Sequence, residues 1–417
     1  MSMKQLLSKR GMANVKDMPM LVHAHWKTLD DPFDPKTNPN GYINLGTAEN
    51  HLIDSMVLEL LGRIQSQMQL KPEHIHYELF YGSKALREAI AHYWQNILLG
   101  AGSQRKLEPE NIVLACGCSL ALEMIAIALC DPGEVILIPR PFYPGFVHDI
   151  QSRAGVIPVG VPCGTEMSKT AFETALAEQK RLGRTVRAVL FSSPNNPSGH
   201  VYSVEAIQNV LDFCMENDLD VVSDEIYSQT IYDPSVEWVS TLKVAPDHYK
   251  HRVHITGGFA KDFALSGFRV GFCHSYNPYA VKCMQELSYF SCVSSHTQAL
   301  LVDLLQSPDL PELIKTSRKQ LWSTYQKVTD ILHRVGIKTE PAQGGIFLMA
   351  DLSPFLKAPT LEAEDALWQH IFKDLKINIS PGKLFEADKP GLFRLCFAQE
   401  DAFIEELEPR FLKLSGK

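Results

Sequence analysis

The sequence contains no Cys-x-x-Cys pair, and its nine cysteines (Cys116, Cys118, Cys130, Cys163, Cys214, Cys273, Cys283, Cys292 and Cys396) follow no framework spacing. A disulfide scaffold is therefore not expected, and thiols fit a reducing compartment, the cytoplasm. The pair in "ACGC" sits too close, in a strand-to-helix turn with no second ligand pair, to build a metal site, so no metal is expected. No run of basic residues interleaved with aromatics occurs, and the formal net charge is -8, which argues against a nucleic-acid groove and leaves small molecules as partners. The opening "MSMKQLLSKRGMANVKDMPM" lacks an apolar core of signal-peptide length, so export is not expected. One stretch, Ile112 to Cys130, has the length of a membrane span, but it contains Glu123 and Gly117 and runs into "DPG". A buried strand feeding a buried helix explains it without a membrane. Internal repeats, low-complexity tracts and Gly/Ser linkers are also missing.

What is present is a chain of 417 residues with 45% hydrophobic content, enough for a large core and two domains. From about residue 110, short β-rich runs ("NIVLAC", "EVILIP", "AVLFSSP", "DVVSDE") alternate with helical stretches such as "VEAIQNVLDFCMEND". This is the pattern of a layered α/β fold with a largely parallel sheet. Ligands in such sheets sit at the C-terminal ends of the strands. Those ends read Gly117-Cys118-Ser119, Pro141-Phe142-Tyr143, Asn195-Asn196-Pro197 and Asp224-Glu225-Ile226-Tyr227. After about Pro308 a long charged helical pattern and the strand-like pieces "GGIFLMADL" and "LFRLCFA" predict a smaller α+β domain. The expected division is residues 1–60 as an N-terminal arm and part of the small domain, 61–308 as the large domain, and 309–417 as the small C-terminal domain.

In "HITGGFAKDFALSGFRVGF", Lys261 stands among glycine and small residues, with Arg269 eight positions on. A lysine held in a cleft can condense with a carbonyl, and the cofactor whose needs match the other strand ends is pyridoxal 5'-phosphate. Its pyridine nitrogen calls for a buried carboxylate, Asp224. Its phosphate calls for a helix N-terminus and a fixed cation, which Cys118-Ser119 and Arg269 provide. Asn196 and Tyr227 can donate to its phenolic oxygen, and Tyr143 can cover its ring. Each alone also reads as a solvated lysine, a capping turn or an N-cap; order and spacing together carry the assignment.

With "NPNGYINLGTAEN", "PRPFYPGF", "SSPNNPSG", "SDEIY", "AKDFALSGFRVG" and "SPGKLFEADKPGLFRLCFA", the chain resembles the fold-type I pyridoxal-phosphate enzymes of the aminotransferase class I/II superfamily. Within them it is most similar to the 1-aminocyclopropane-1-carboxylate synthase-like branch. The resemblance implies a mostly parallel seven-stranded sheet between helices plus a smaller α+β domain, and a homodimer with its site at the subunit interface. It makes Lys261 the Schiff-base lysine, Asp224 the pyridinium partner, and Arg394 the clamp on the substrate α-carboxylate. Glu49 falls on the branch's active-site glutamate. Tyr77 has the spacing of a tyrosine reaching the neighbouring subunit's phosphate. Two positions depart from the pattern: Gly258 and Ala260 replace serines of the phosphate cup, and Phe80 stands where the cyclopropane-forming enzymes carry a tyrosine, flanked by Tyr77 and Tyr81.

The implied chemistry is exchange of an amino acid's amine for Lys261 on the cofactor, then removal of the Cα proton by the freed lysine. Glu49 favours elimination from a β- or γ-substituted, for example sulfur-bearing, amino acid, a lyase reaction. Phe80 pulls towards the alternative, amino transfer to a 2-oxo acid. A non-catalytic regulatory protein that only binds the cofactor is a further reading, opposed by the intact Lys261, Asp224, Arg269 and Arg394.

Overall fold

The computed structural model describes residues 7–13, 15 and 19–415. Its first strand, β1 (Ile43–Asn44), finds its partner near the other end of the chain. The large sheet comprises β2 (Ile112–Ala115), β3 (Val135–Pro139), β4 (Ile157–Val161), β5 (Val186–Ser192), β6 (Asp220–Asp224), β7 (Val253–Gly258) and β8 (Gly271–Ser275), in the order β2-β8-β7-β6-β5-β3-β4. The five strands from β7 to β4 run parallel, whereas β8 is antiparallel to both of its neighbours. The expected seven-stranded, mostly parallel sheet is thus present. Strands β2, β3, β6, β7 and β8 are buried at every position, as a sheet covered by helices on both faces requires. The span-like stretch resolves into β2 and the helix Cys118–Leu129. Among the described residues no helix is long and apolar enough to cross a membrane.

A second sheet is built from β9 (Lys338–Thr339), β10 (Phe347–Asp351), β12 (Ser380–Pro381) and β13 (Leu392–Cys396), ordered β12-β13-β10-β9, while β11 (Ile377–Asn378) pairs in parallel with β1. The two layers are linked by the helix Leu310–Arg334. It buries Leu313, Ile314, Ser317, Leu321, Thr324, Val328 and Ile331 at helical spacing, the stripe that a long amphipathic helix turns to the core. Glu312 in its first turn and His333 and Arg334 in its last complement the helix dipole.

Two apolar clusters cover the faces of the large sheet and a third fills the smaller layer. Ile226 and Tyr227, just past the end of β6, belong to the third cluster. The C-terminal edge of the parallel strands therefore abuts the smaller layer, and a cleft opens at that seam.

Candidate functional site

The cleft is lined by Ala48, Cys118, Ser119, Leu122, Tyr143, Asp149, Ser192, Asn196, Asp224, Ile226, Tyr227, Ala260, Lys261 and Arg269, around about 730 Å³ of empty space.

Lys261 is held by its neighbours in sequence. Phe259 and Phe263 are fully buried and meet the Trp94 ring at 5.6 and 5.8 Å, so the backbone on either side of the lysine is anchored while its amine faces the cleft. The Nζ donates to the Ala48 carbonyl at 2.5 Å. Burial holds the amine below the usual lysine range; Cys396 and Glu49 pull it up, and Arg394 and Arg269 push it down. The next residue, Asp262, is fully buried and takes the Ser228 hydroxyl and the Gln229 amide, both at 3.0 Å, which ties the lysine loop to the segment after Tyr227.

Asp224 ends β6 at 6% exposure. Burial pushes its carboxyl up to about 6, and the Thr256 hydroxyl, the Ile226 amide and Lys261 draw it back. Thr256 donates to Asp224 Oδ1 at 2.8 Å. Ser192, Asp224 and Thr256 are in register across β5, β6 and β7, one polar row at the strand ends.

The helix Cys118–Leu129 points its N-terminus into the cleft after Gly117, whose φ of 87° is in the left-handed region open to glycine. The Arg269 guanidinium lies over Gly117, where a Cβ would come within 2.6 Å of Nη2. Arg269 itself has φ of 54°, and its Nη1 donates to the Ser266 carbonyl at 3.1 Å. The Cys118 thiol donates to the Gly257 carbonyl at 3.0 Å, and burial pushes its pKa up, so it sits there as a neutral thiol. The Tyr143 ring lies over Gly145, where a Cβ would be 2.2 Å from Cε1.

Arg394, on β13, is 3% exposed. Its Nη1 donates to Asn196 Oδ1 at 3.1 Å and its Nη2 to the Gly46 carbonyl at 2.6 Å, while the buried Nε has no partner. The guanidinium lies between the Phe347 and Phe385 rings, 5.6 and 4.8 Å from their centroids. A buried arginine with an unfilled donor is suited to receiving a carboxylate. Glu49 follows Ala48 and accepts from the Ser266 hydroxyl at 2.7 Å.

The structure thus brings Lys261, Asp224, Asn196, Tyr227, Tyr143, Cys118, Ser119 and Arg269 to one cleft, with Arg394 and Glu49 bonded to its lining segments. Tyr77, Phe80 and Tyr81 line no part of that cleft in the single chain. Tyr77 is 95% exposed, Phe80 packs edge-on against Tyr289, and Tyr81 carries the Arg87 guanidinium over its ring. Sequence reasoning missed Ala48, Asp149, Ser192, Thr256, Asp262 and Ser266. Register between neighbouring strands is the signal that could have found Ser192 and Thr256. Among the described residues no group of three or more His, Cys, Asp or Glu is placed to hold a metal ion.

The donors fit pyridoxal phosphate. A buried carboxylate, a helix N-terminus with an arginine over it, an aromatic ring and an amine of lowered pKa converge on one space. Comparison with known proteins agrees. The family model for aminotransferase class I and II matches residues 41–408. A 1-aminocyclopropane-1-carboxylate synthase of Oryza sativa subsp. japonica is 34% identical over 417 aligned residues, 94% of this chain and 75% of that one. One from Glycine max is 34% identical over 95% of this chain and 85% of its own. Among solved structures, the aspartate aminotransferase of Rhizobium meliloti superposes with a TM-score of 0.81 at 20% identity, covering 98% of each chain. The Thermus thermophilus aspartate aminotransferase with maleate gives 0.79 at 23% identity, over 98% of this chain and 99% of that one; likeness at this identity speaks for the fold. The chain belongs to the aminotransferase class I and II family, as a pyridoxal-phosphate enzyme similar to the 1-aminocyclopropane-1-carboxylate synthases.

Proposed function

We propose that the protein removes the Cα proton of an α-amino acid and then expels a β- or γ-substituent, a lyase reaction. The observation that carries the proton removal is the Lys261 amine, of lowered pKa, in one cleft with Asp224 and next to the Arg394–Asn196 pair; the choice of elimination rests on Glu49, held beside Ala48 by the Ser266 hydroxyl. Pyridoxal phosphate, when bound, supplies an aldehyde for the amine and a ring that takes up the electron pair left at Cα.

Lys261 would hold the cofactor and, when its amine is free, take the Cα proton on Nζ. Its lowered pKa leaves more of the amine unprotonated near neutrality. Asp224 holds a proton on the ring nitrogen, itself fixed by Thr256. Asn196 and Tyr227 would donate to the phenolic oxygen, Tyr143 would cover the ring, and Cys118, Ser119 and Arg269 would bind the phosphate. Arg394 would clamp the substrate carboxylate, and Glu49, next to Ala48 of the cleft lining, is the group assigned to the leaving substituent.

We further infer a homodimer. Tyr77, Phe80, Tyr289 and Phe290 form a ladder of ring contacts of 6.2, 5.0 and 5.1 Å. Tyr77, Tyr289 and Phe290 in it are 95, 59 and 73% exposed, an apolar patch of the kind a partner covers. Such a partner would bring Tyr77, Phe80 and Tyr81 to the neighbouring cleft. The same reading keeps the division at residues 1–60, 61–308 and 309–417, supported by the two sheets and the β1–β11 pairing, and a cytoplasmic location, supported by nine free thiols.

The test is incubation of the purified protein with S-adenosylmethionine, cysteine conjugates and a panel of amino acids, with and without a 2-oxo acid, products being identified by mass. Keto acid and ammonia released without an acceptor are expected. Amino transfer that requires the acceptor would replace the lyase reading by the aminotransferase one, which Phe80 favours. Abundant aminocyclopropane carboxylate would show that another hydroxyl serves in place of the one Phe80 lacks.

A further inference from the structure

One titratable side chain of the cleft has no part in these roles. Asp149, on the helix Gly145–Gln151, lines the cleft with Ser119, Tyr143 and Arg269. Its Oδ2 is buried without a hydrogen-bond partner. The neighbouring Ser119 hydroxyl draws the Asp149 carboxyl down, and Asp224, Glu123 and Arg269 are the charged groups that act on it. Glu123 lies one turn beyond Ser119 on the same helix and is paired with Arg153 at 3.2 Å, so Arg269 is the cation left to the cleft side of the cup.

A serine hydroxyl has one proton to give. If Asp149 is ionised, that proton turns to the carboxylate, and the serine presents lone pairs to the phosphate while two anions share one arginine. If Asp149 carries a proton, the carboxyl donates to Ser119 Oγ, and the serine O–H is free to donate outward. We propose that Asp149 is a positioning residue of the phosphate cup, binding a proton when the phosphate binds and so aiming the Ser119 hydroxyl at it. Burial already pushes the Asp149 carboxyl up to about 7, against the opposing pull of Ser119 and Arg269 and with that of Asp224 and Glu123. A bound phosphate acts in the same upward direction.

The inference rests on Ser119 binding phosphate, and its test separates the two. The probe is pyridoxine 5'-phosphate, which has ring and phosphate but no aldehyde, titrated into cofactor-stripped protein between about pH 6 and about 9. Ring and phosphate ionisations are common to all variants, so ratios isolate the side chain. The wild-type affinity should fall about tenfold per pH unit above about pH 7 relative to Asp149→Asn, whose amide donates to Ser119 at every pH. Calorimetry in buffers of different ionisation heat checks this without a variant: near pH 8 the wild type should take up about one more proton with pyridoxine 5'-phosphate than with pyridoxine. A ratio independent of pH, or equal proton counts for the two ligands, overturns the role of Asp149. Ser119→Ala should weaken phosphate-ester binding throughout; if it does not, the phosphate role of Ser119 falls first.

Discussion

Asn196 and Arg394 are joined by a 3.1 Å hydrogen bond although 198 residues separate them, so the turn after β5 and the middle of β13 are held together at the seam of the two sheets. The residue proposed to touch the cofactor and the one proposed to touch the substrate carboxylate are positioned by each other.

Removing either end should therefore act on both. Arg394→Ala leaves Asn196 Oδ1 and the Gly46 carbonyl without their donor and removes the carboxylate clamp. A rise of about 100-fold or more in KM for the amino acid is expected, from the ~2–5 kcal/mol that truncating a buried charged hydrogen-bonding group costs. Arg394→Lys, which cannot form the planar two-toothed pair, should recover little of it. Steady-state kinetics on the substrate found by the panel reads both.

Lys261→Ala should abolish turnover and leave the melting temperature nearly unchanged, because the side chain acts by covalent chemistry and proton transfer and makes one hydrogen bond, to Ala48. Borohydride reduction followed by peptide mass mapping should place the cofactor on residue 261 in the wild type and nowhere in the variant. Turnover at the wild-type rate would remove Lys261 from the mechanism.

Gly145→Ala probes the ring face without changing a residue that bonds the cofactor. The new Cβ would stand 2.2 Å from Tyr143 Cε1, so the tyrosine must swing away. Cofactor affinity should drop about tenfold or more, with a stability loss within the ~1–3 kcal/mol of an overpacked site. Cofactor titration beside a denaturant melt separates the two effects.

Asp262 makes stability depend on pH. Burial pushes its carboxyl up to about 8 in the folded chain, against the pull of Gln229, Ser228 and Arg318. The folded state therefore binds a proton that the unfolded state releases, and this contribution is present in full below the ordinary aspartate range and is lost as pH rises towards about 8. Asp262→Asn can keep both hydrogen bonds without titrating. Its stability should fall less steeply between about pH 5 and 8, by up to about 1.4 kcal/mol per pH unit, in chemical melts across that range. Parallel curves would rule the effect out.

Phe290→Asp places a charge in the exposed ring ladder. If a second copy covers it, sedimentation at micromolar concentration should show the wild type as a dimer and the variant shifted to monomer, with activity falling alongside. A wild type that is monomeric and active would end the dimer proposal.

Much of the cleft was legible in the sequence because α/β folds present their strand ends to ligand, and the runs leading to Cys118, Tyr143, Asn196 and Asp224 were readable as strands. What escaped was whatever depends on how elements lie side by side. Thr256 matters because β7 sits next to β6 in a register that opposes it to Asp224, and no spacing within one strand reveals a neighbour's register. Asp149 is reached because a short helix turns it towards Ser119, thirty positions earlier. The antiparallel β8, inserted between β2 and β7, carries no pattern that states its direction. The outward position of Tyr77 is likewise set by its neighbours, since an exposed and a buried aromatic look alike in a sequence.

The pairing of β1 with β11, and of the Gly46 carbonyl with Arg394 across 348 residues, has a consequence for synthesis on the ribosome. The lysine loop, Asp224 and the helix that faces the phosphate can assemble once the large sheet and the helices that cover it, as far as Ile314, have emerged. The segment from Gly46 to Glu49 must wait for nearly all of the remaining chain before its partners exist. A nascent protein thus acquires its proposed cofactor cup well before its substrate rim, so early capture of the cofactor could stabilise the half-made molecule while the rim is still being translated.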